Sequence, residues 1–344
     1  MSMLLRQLDG SKLQRWFERL MPAATDLEIA GLRRAFPGLS RETWFVTVQW
    51  REDGSDRRAR YVLRTPLPGN RSLAPRTLEY EANVYRTLAA SDLPMPPYVA
   101  YETDPKWLID GDRPFLVRGW VDGVLEPRHL NDPDPTYDGL RIAVAKELIA
   151  RLAQVHALDW HALGLDSFMS LPATPADVAG DVLDEVYADY LGSTAPPQPA
   201  LLELILSLKE SPPEPPSRIT LVKENCGLGD EVWDEERPEI IAMCDWETAS
   251  LGDPAVDMVM AVRSTGWCWN VDAMLDYYES LTGERITRSR FDYYAAMHKI
   301  RQFAVLQGRA REYVVNGIDR RVQLMSVAYL PYLTMPSLAK VAGF

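Results

Sequence analysis

The spacing of apolar positions predicts helices over most of the chain and strands near its beginning. Residues 140–158 repeat apolar side chains at helical spacing and predict the clearest helix. The same reasoning predicts further helices over residues 4–21, 77–90, 201–208, 271–281 and 290–313. Strand composition marks residues 44–50, 60–64 and 115–119. Residues 26–36 are mixed, and their pattern is compatible with a strand or a helix.

A polar loop followed by two short apolar segments forms the most informative stretch. Residues 223–230 form the loop, and residues 231–233 and 240–244 are the apolar segments, separated by a charged turn. This is the pattern of a β-hairpin. Asp230 ends the loop and Asp245 leaves the hairpin. Two carboxylates placed together suit Mg²⁺, which takes oxygen ligands and keeps part of its water shell, so a magnesium site at Asp230 and Asp245 is predicted.

Composition narrows the range of partners. The 344 residues are enough for two domains, and 47% hydrophobic with 25% charged residues is ordinary for a globular protein. A net charge of −12 argues against nucleic acid, whose phosphates are bound by clustered basic residues. Three cysteines without metal-type spacing indicate a reducing compartment. The charged N-terminal segment resembles neither a signal peptide nor a membrane span, so we expect no membrane partner and a cytoplasmic location.

The hairpin and the residues after it resemble the aminoglycoside phosphotransferase and choline kinase-like family, whose members are relatives of protein kinases. Asp245-Trp246-Glu247 and Leu251-Gly252-Asp253-Pro254 match the family pattern. The loop departs from that pattern: Lys223-Glu224-Asn225 stands in place of His-Gly-Asp, and Asp230 in place of Asn. The resemblance implies an α+β fold of two lobes, with an antiparallel sheet and a helix in residues 1–119 and a mainly helical lobe in residues 120–344.

The first lobe carries the positions that the resemblance assigns to ATP. Ser40 belongs to a phosphate-covering flap, within a Gly-x-Ser-x-Glu-Thr-Trp motif that Gly38, Glu42, Thr43 and Trp44 complete. Arg64 is the expected phosphate ligand, with Glu81 on the following helix as its partner. The strand containing Val117 and Gly119 is the expected hinge, whose backbone would bind adenine.

In the second lobe, two residues are expected to have supporting roles, Asp257 from the resemblance and His156 from its place on a helix. Asp257 is expected to support the catalytic loop as a structural carboxylate. His156 lies on the apolar face of the helix over residues 140–158, and this position by itself predicts a buried, hydrogen-bonded histidine with no catalytic role.

The altered loop leaves three functions open. Asn225 stands where the family has its proton acceptor, and an amide can orient a hydroxyl but takes no proton at neutral pH. The chain is a kinase if Glu224 or Asp230 supplies the carboxylate and Lys223 neutralises phosphate. It is otherwise a nucleotide-binding pseudokinase with a scaffolding or regulatory role, or a related fold with another ligand.

The motifs are closest to the hydroxyacyl-CoA kinase-like branch, which favours a small hydroxylated metabolite as acceptor. A monomer and a homodimer are equally compatible.

Overall fold

The structure is a computed structural model that describes residues 8–35, 40–67, 76–109, 113–192 and 199–315, with side chains up to residue 304. The chain divides into two compact units, Met1–Asp122 and Gly123–Phe344. The described part of the first unit contains a five-stranded sheet and two helices, and that of the second unit contains most of the helices. The predicted α+β architecture is confirmed.

The sheet of the first unit is antiparallel throughout, in the order β1-β2-β3-β5-β4. Its strands are β1 (Thr25–Arg34), β2 (Arg41–Glu52), β3 (Ser55–Pro66), β4 (Tyr98–Glu102) and β5 (Phe115–Gly119). Helix α1 (Gly10–Leu20) precedes the sheet, and α2 (Leu78–Leu88) lies between β3 and β4 in sequence. Strand β5 is therefore internal, with β3 on one side and β4 on the other.

Alternation along β3 separates a hydrophobic core from a polar cluster. Leu63 is fully buried in a core that includes Trp16 and Phe17 of α1. Because successive side chains of a strand point to opposite faces, Arg64 projects away from this core and reaches Glu81 on α2. The sheet thus places an arginine and a glutamate together inside the unit.

The ambiguous segment 26–36 contains strand β1. Leu27 and Ile29 alternate regularly toward the core, but the register shifts between Ile29 and Gly31. Leu32 also packs against the core because of this irregularity. The bulge breaks the two-residue period, and this is why the sequence did not distinguish a strand from a helix.

The second unit contains helices and two short antiparallel strand pairs. The helices are α3 (Asp138–Ala157), α4 (Val178–Leu191), α5 (Pro199–Glu210), α6 (Ala255–Thr265), α7 (Val271–Thr282) and α8 (Arg288–Val315). Strand β6 (Thr220–Val222) pairs with β9 (Ser250–Gly252), and β7 (Glu231–Trp233) pairs with β8 (Ile240–Met243). The predicted hairpin is confirmed. Helix α4 was not predicted, because Gly180 and several acidic residues interrupt its apolar positions.

Helix α3 packs against α6, α7 and β6. Its buried residues include Leu148, Leu152 and His156. This packing fixes the ends of β6 and α6, which carry the residues of the candidate site. Within the described residues, no helix combines the length and apolarity that crossing a membrane requires.

Candidate active site

The loop between β6 and β7 is anchored by a buried carboxylate. Asp257 of α6 accepts a hydrogen bond from the backbone N–H of Lys223 at 2.8 Å and another from that of Glu224 at 2.7 Å. Asp257 also lies 2.9 Å from Nε2 of His156, whose Nδ1 lies 2.8 Å from the Tyr278 hydroxyl. The expected roles of Asp257 as a loop support and of His156 as a buried, hydrogen-bonded residue are confirmed.

Lys223 begins the loop, and its side chain is fully buried. Its Nζ forms an ion pair with Oε1 of Glu231 at 2.9 Å and donates to the backbone carbonyl of Asn225. Burial on its own would lower the pKa of Lys223, but the carboxylate of Glu231 outweighs it and the pKa is raised. The ammonium is therefore charged, and its partners are Glu231 and the Asn225 carbonyl. It lies inside the unit and is not exposed at the loop surface.

Glu231 is the buried counter-charge of Lys223. Burial raises the pKa of Glu231, and the ion pair with Lys223 opposes this by favouring the charged carboxylate. Its Oε2 accepts a hydrogen bond from the backbone N–H of Cys244 at 2.9 Å. The glutamate thereby connects the start of β7 with the end of β8.

Asn225, Asp230 and Asp245 lie close together and are half-buried. The side-chain amide of Asn225 donates to Oδ2 of Asp245 at 3.2 Å. Burial raises the pKa of Asp230, Lys223 acts against this, and the negative charge of Asp245 adds to the increase. The structure thus brings together the two predicted metal ligands and the residue at the base position.

The oxygen donors of Asp230 and Asp245 fit Mg²⁺. This ion is commonly held by one or two carboxylates, with phosphate oxygens and water completing its octahedron. The described residues contain no group of three or more His, Cys, Asp or Glu side chains that could hold a metal ion. The donor set therefore suits a cation shared with a phosphate-bearing ligand, and not a metal enclosed by protein alone.

Glu224 adopts a left-handed backbone conformation, with φ of 65°. Such a conformation costs a residue with a side chain roughly 1–2 kcal/mol, which explains why glycine suits this place in the family pattern. Here the conformation is held by both carboxylate oxygens: Oε1 accepts from the Ser250 hydroxyl at 2.7 Å, and Oε2 pairs with Arg301. The carboxylate also lines a cavity beside Val222, Ser250 and Arg301. Glu224 is therefore bound on the side of α8.

Helix α8 supplies contacts that the sequence does not predict. The contacts come from Arg290, His298 and Arg301. His298 and Arg301 lie eight and eleven positions after Arg290, which places all three on one face of the helix. Arg290 binds both oxygens of Asp253, at 2.9 and 2.6 Å, and Arg301 binds Glu224. The available signal was their common face on a predicted helix, but the sequence does not show which loop that face contacts.

In the first unit, the predicted pairing of Arg64 with Glu81 is present. Nη1 of Arg64 lies 2.5 Å from Oε1 of Glu81, which is fully buried. Nε of Arg41 lies 3.5 Å from the other oxygen of Glu81. Two arginines thus surround one carboxylate, so the local charge is positive, as a phosphate ligand requires.

The remaining candidates of the first unit lie on strands or beside them. Ser40 directly precedes β2, and the Gly38 position of the flap motif lies outside the described residues. Val117 is paired with Leu63 of β3 on one side of β5. The N–H of Gly119 donates to the Pro97 carbonyl at 2.7 Å, so this amide is already bonded within the unit.

Comparisons with known proteins agree with this arrangement. Residues 33–297 match the model of the phosphotransferase enzyme family. The chain belongs to this family. Acyl-CoA dehydrogenase family member 10 of Mus musculus is 25% identical over 225 residues, which cover 64% of this chain and 19% of that protein. The chain thus corresponds to about a fifth of that relative's length.

Solved structures show the same fold. A protein of Ralstonia eutropha assigned as an aminoglycoside phosphotransferase superimposes with a TM-score of 0.71 at 20% identity, covering 98% of this chain and 99% of that one. A thermostable mutant of an aminoglycoside phosphotransferase, crystallised as a ternary complex with ADP and hygromycin B, gives a TM-score of 0.54 at 15% identity, covering 97% and 99%. At these identities the similarity establishes the kinase-like fold.

The contacts of Asp257 lead to a first prediction. Asp257→Asn removes a charge and one acceptor from two buried backbone N–H groups, so we expect the free energy of unfolding to fall by about 2–4 kcal/mol. Backbone amides of residues 223–230 should exchange hydrogen faster, as measured by mass spectrometry. Asp272→Asn, whose side chain is 67% exposed, is the matched control and should change stability by less than about 0.5 kcal/mol. Unchanged exchange in the loop would show that Asp257 does not anchor it.

A second prediction concerns pH. Burial, followed by the positive charges of Arg263, Arg301 and Lys299, lowers the pKa of His298 to about 4. Its Nε2 lies 2.9 Å from Nη1 of Arg263, a contact that suits a neutral ring. Between about pH 6.5 and 4, His298 is protonated in the unfolded chain but stays neutral in the folded protein. The free energy of unfolding therefore falls as pH decreases through this window.

The size of this loss can be measured by urea unfolding at several pH values. We expect wild type to lose about 2–3 kcal/mol more than His298→Gln between pH 7 and pH 4.5. His161→Gln alters a histidine whose side chain is 78% exposed and should retain the wild-type pH dependence. Parallel curves for wild type and His298→Gln would contradict the assignment of a neutral His298.

Proposed function

We propose that this protein transfers a phosphoryl group from ATP to the hydroxyl group of a small molecule, with Mg²⁺ as cofactor. The observation that carries the proposal is the grouping of Asn225, Asp230 and Asp245 on an anchored loop and hairpin. Phosphoryl transfer depends mainly on positioning and on neutralising charge. The amide of the anchored loop would position the acceptor, and its carboxylates would hold the cation that neutralises the phosphate charge.

Each residue has a defined role in this proposal. Asp230 and Asp245 would hold Mg²⁺, which when bound neutralises negative charge on the phosphate oxygens. Asn225 orients the acceptor hydroxyl through its amide, and the proton leaves to solvent or to Asp230, because an amide does not accept it. In the first unit, Arg64 is the proposed phosphate ligand, with Glu81 fixing its guanidinium. Ser40 and the strand that contains Val117 and Gly119 complete the proposed ATP contacts, as the family resemblance implies. The N–H of Gly119 donates to the Pro97 carbonyl, so this amide is not one of those contacts.

The relatives support ATP and a small hydroxylated acceptor. One structural neighbour was crystallised with ADP and hygromycin B, so this fold accommodates a nucleotide and a hydroxyl-bearing molecule. The resemblance to the hydroxyacyl-CoA kinase-like branch favours an alcohol-bearing metabolite as the acceptor. The three cysteines all lie in the described part of the chain and form no disulfide, which agrees with the proposed cytoplasmic location.

A nucleotide-binding pseudokinase is the second candidate, and one observation favours it specifically. The residue at the base position is an amide, and the neighbouring carboxylate of Glu224 is bound to Ser250 and Arg301. Loss of general-base assistance typically slows a reaction by roughly 10²–10⁴-fold. A protein of this kind would bind Mg²⁺ and ATP and act through its surface as a scaffold or regulator.

Calorimetric titration with ATP, with and without Mg²⁺, tests nucleotide binding in both candidates. We expect wild type to bind ATP in a Mg²⁺-dependent manner. Asp245→Ala should abolish that dependence, since one of two metal ligands is removed. Glu236→Ala, in the hairpin turn with a side chain 70% exposed, should bind as wild type does. Equal Mg²⁺-dependent affinity in Asp245→Ala and wild type would contradict the metal site.

Asn225→Asp tests whether the amide at the base position limits the chemistry. The new carboxylate can accept a proton and lies beside Asp245, so we expect any basal ATP hydrolysis or phosphoryl transfer to rise, by up to roughly 10²-fold. The assay measures ADP release with a panel of small alcohols. Asn270→Asp, at the start of α7, serves as the control for introducing the same charge elsewhere. No increase over wild type would show that the base position has another use or that a further defect blocks the chemistry. Phosphoryl transfer by wild type itself would exclude the pseudokinase.

A further inference from the structure

We infer that the buried ion pair of Lys223 and Glu231 is a positioning device that sets the spacing of Asn225, Asp230 and Asp245. The inference rests on the proposed function, in which these three residues bind the metal ion and orient the acceptor. The side chains of Lys223 and Glu231 are fully buried and act through the backbone, so both are positioning residues.

The contacts of the pair involve Asn225 and the sequence neighbours of the other two site residues. Lys223 donates to the carbonyl of Asn225 itself and pairs with Oε1 of Glu231 at 2.9 Å. Glu231 directly follows Asp230, and its Oε2 accepts from the N–H of Cys244 at 2.9 Å. Cys244 directly precedes Asp245. Asn225 is therefore bonded to Lys223 directly. Asp230 is next in sequence to Glu231, and Asp245 is next in sequence to Cys244, which is bonded to Glu231.

Stability alone does not account for this pair. Both side chains are fully buried, and removing two charges from water offsets most of their mutual attraction. Apolar side chains of similar volume often serve a protein core equally well. Apolar side chains cannot, however, bond the Asn225 carbonyl and the Cys244 N–H. The ion pair therefore fixes the backbone of Asn225 in the loop relative to the backbone of Cys244 in the hairpin.

The charge of Lys223 serves the same arrangement. Asp230 and Asp245 both lie close enough for their charges to act on the ammonium, and the Trp246 ring centroid is 5.4 Å from Nζ. An internal cation lets two carboxylates approach each other before a divalent ion arrives. Because Glu231 balances this charge, the pair as a whole leaves the net charge of the site unchanged.

The double variant Lys223→Met/Glu231→Leu tests the inference, because it removes the bonds while keeping volume and net charge. The probe is Mn²⁺ with ADP, measured by electron paramagnetic resonance. We expect an unfolding temperature equal to or above that of wild type and a dissociation constant at least 10-fold weaker. Ile205→Ala, which removes fully buried side-chain volume from α5, is the control that lowers stability while leaving the dissociation constant within twofold. A double variant that folds and binds like wild type would overturn the inference.

Hydrogen exchange of the nucleotide-free protein separates this inference from the proposed function. In the double variant, amides of residues 224–230 and 244–245 should exchange at least 10-fold faster, while those of α3 and α6 remain protected. Wild type that binds no Mn²⁺ with ADP would overturn the proposed function, and the exchange result would still decide whether the pair holds the loop. Glu231→Gln, which keeps the size and one acceptor oxygen, gives the same test if the double variant does not fold. Wild-type protection of residues 224–230 and 244–245 in the folded variant would overturn the inference.

Discussion

The candidate site depends on one carboxylate that accepts two consecutive backbone N–H groups. Asp257 binds the amides of Lys223 and Glu224, at the point where β6 ends and the chain must turn. Buried backbone donors without a partner are costly, so this contact determines the course of the loop. Asp257 is itself oriented by His156, which is held by Tyr278. The helical core is thereby connected to the loop through a chain of three buried polar side chains.

Most of the framework could be predicted from the sequence, because its signals are local. The apolar period of α3 placed His156 in the core, and the turn residues located the hairpin that ends before Asp245. The pairing of Arg64 with Glu81 followed from the family resemblance, since neither residue carries a distinctive local pattern. Strand β1 remained ambiguous because a register shift breaks its alternation.

The contacts of the altered triplet could not be predicted, because they join residues far apart in sequence. Arg301 lies 77 positions from Glu224, and nothing in the local pattern of α8 indicates which loop it contacts. The sequence also left Lys223 available to neutralise phosphate, whereas the structure buries it against Glu231. Burial and long-range charge pairing are properties of the packed unit, and a pattern of residue types alone does not contain them.

Each residue of the altered triplet, taken singly, suggests a loss of catalytic function. In the structure, however, each has a partner of matching chemistry. Lys223 is paired with Glu231, Glu224 with Arg301 and Ser250, and Asn225 with Asp245. Random replacement at such a position would leave buried polar groups unsatisfied, at about 1–3 kcal/mol for each. A left-handed glutamate would add strain without compensation. The pairing of all three residues indicates that the loop and its surroundings form one consistent arrangement. This favours a loop adapted to a task, in catalysis or in nucleotide binding, over one that has merely lost its function.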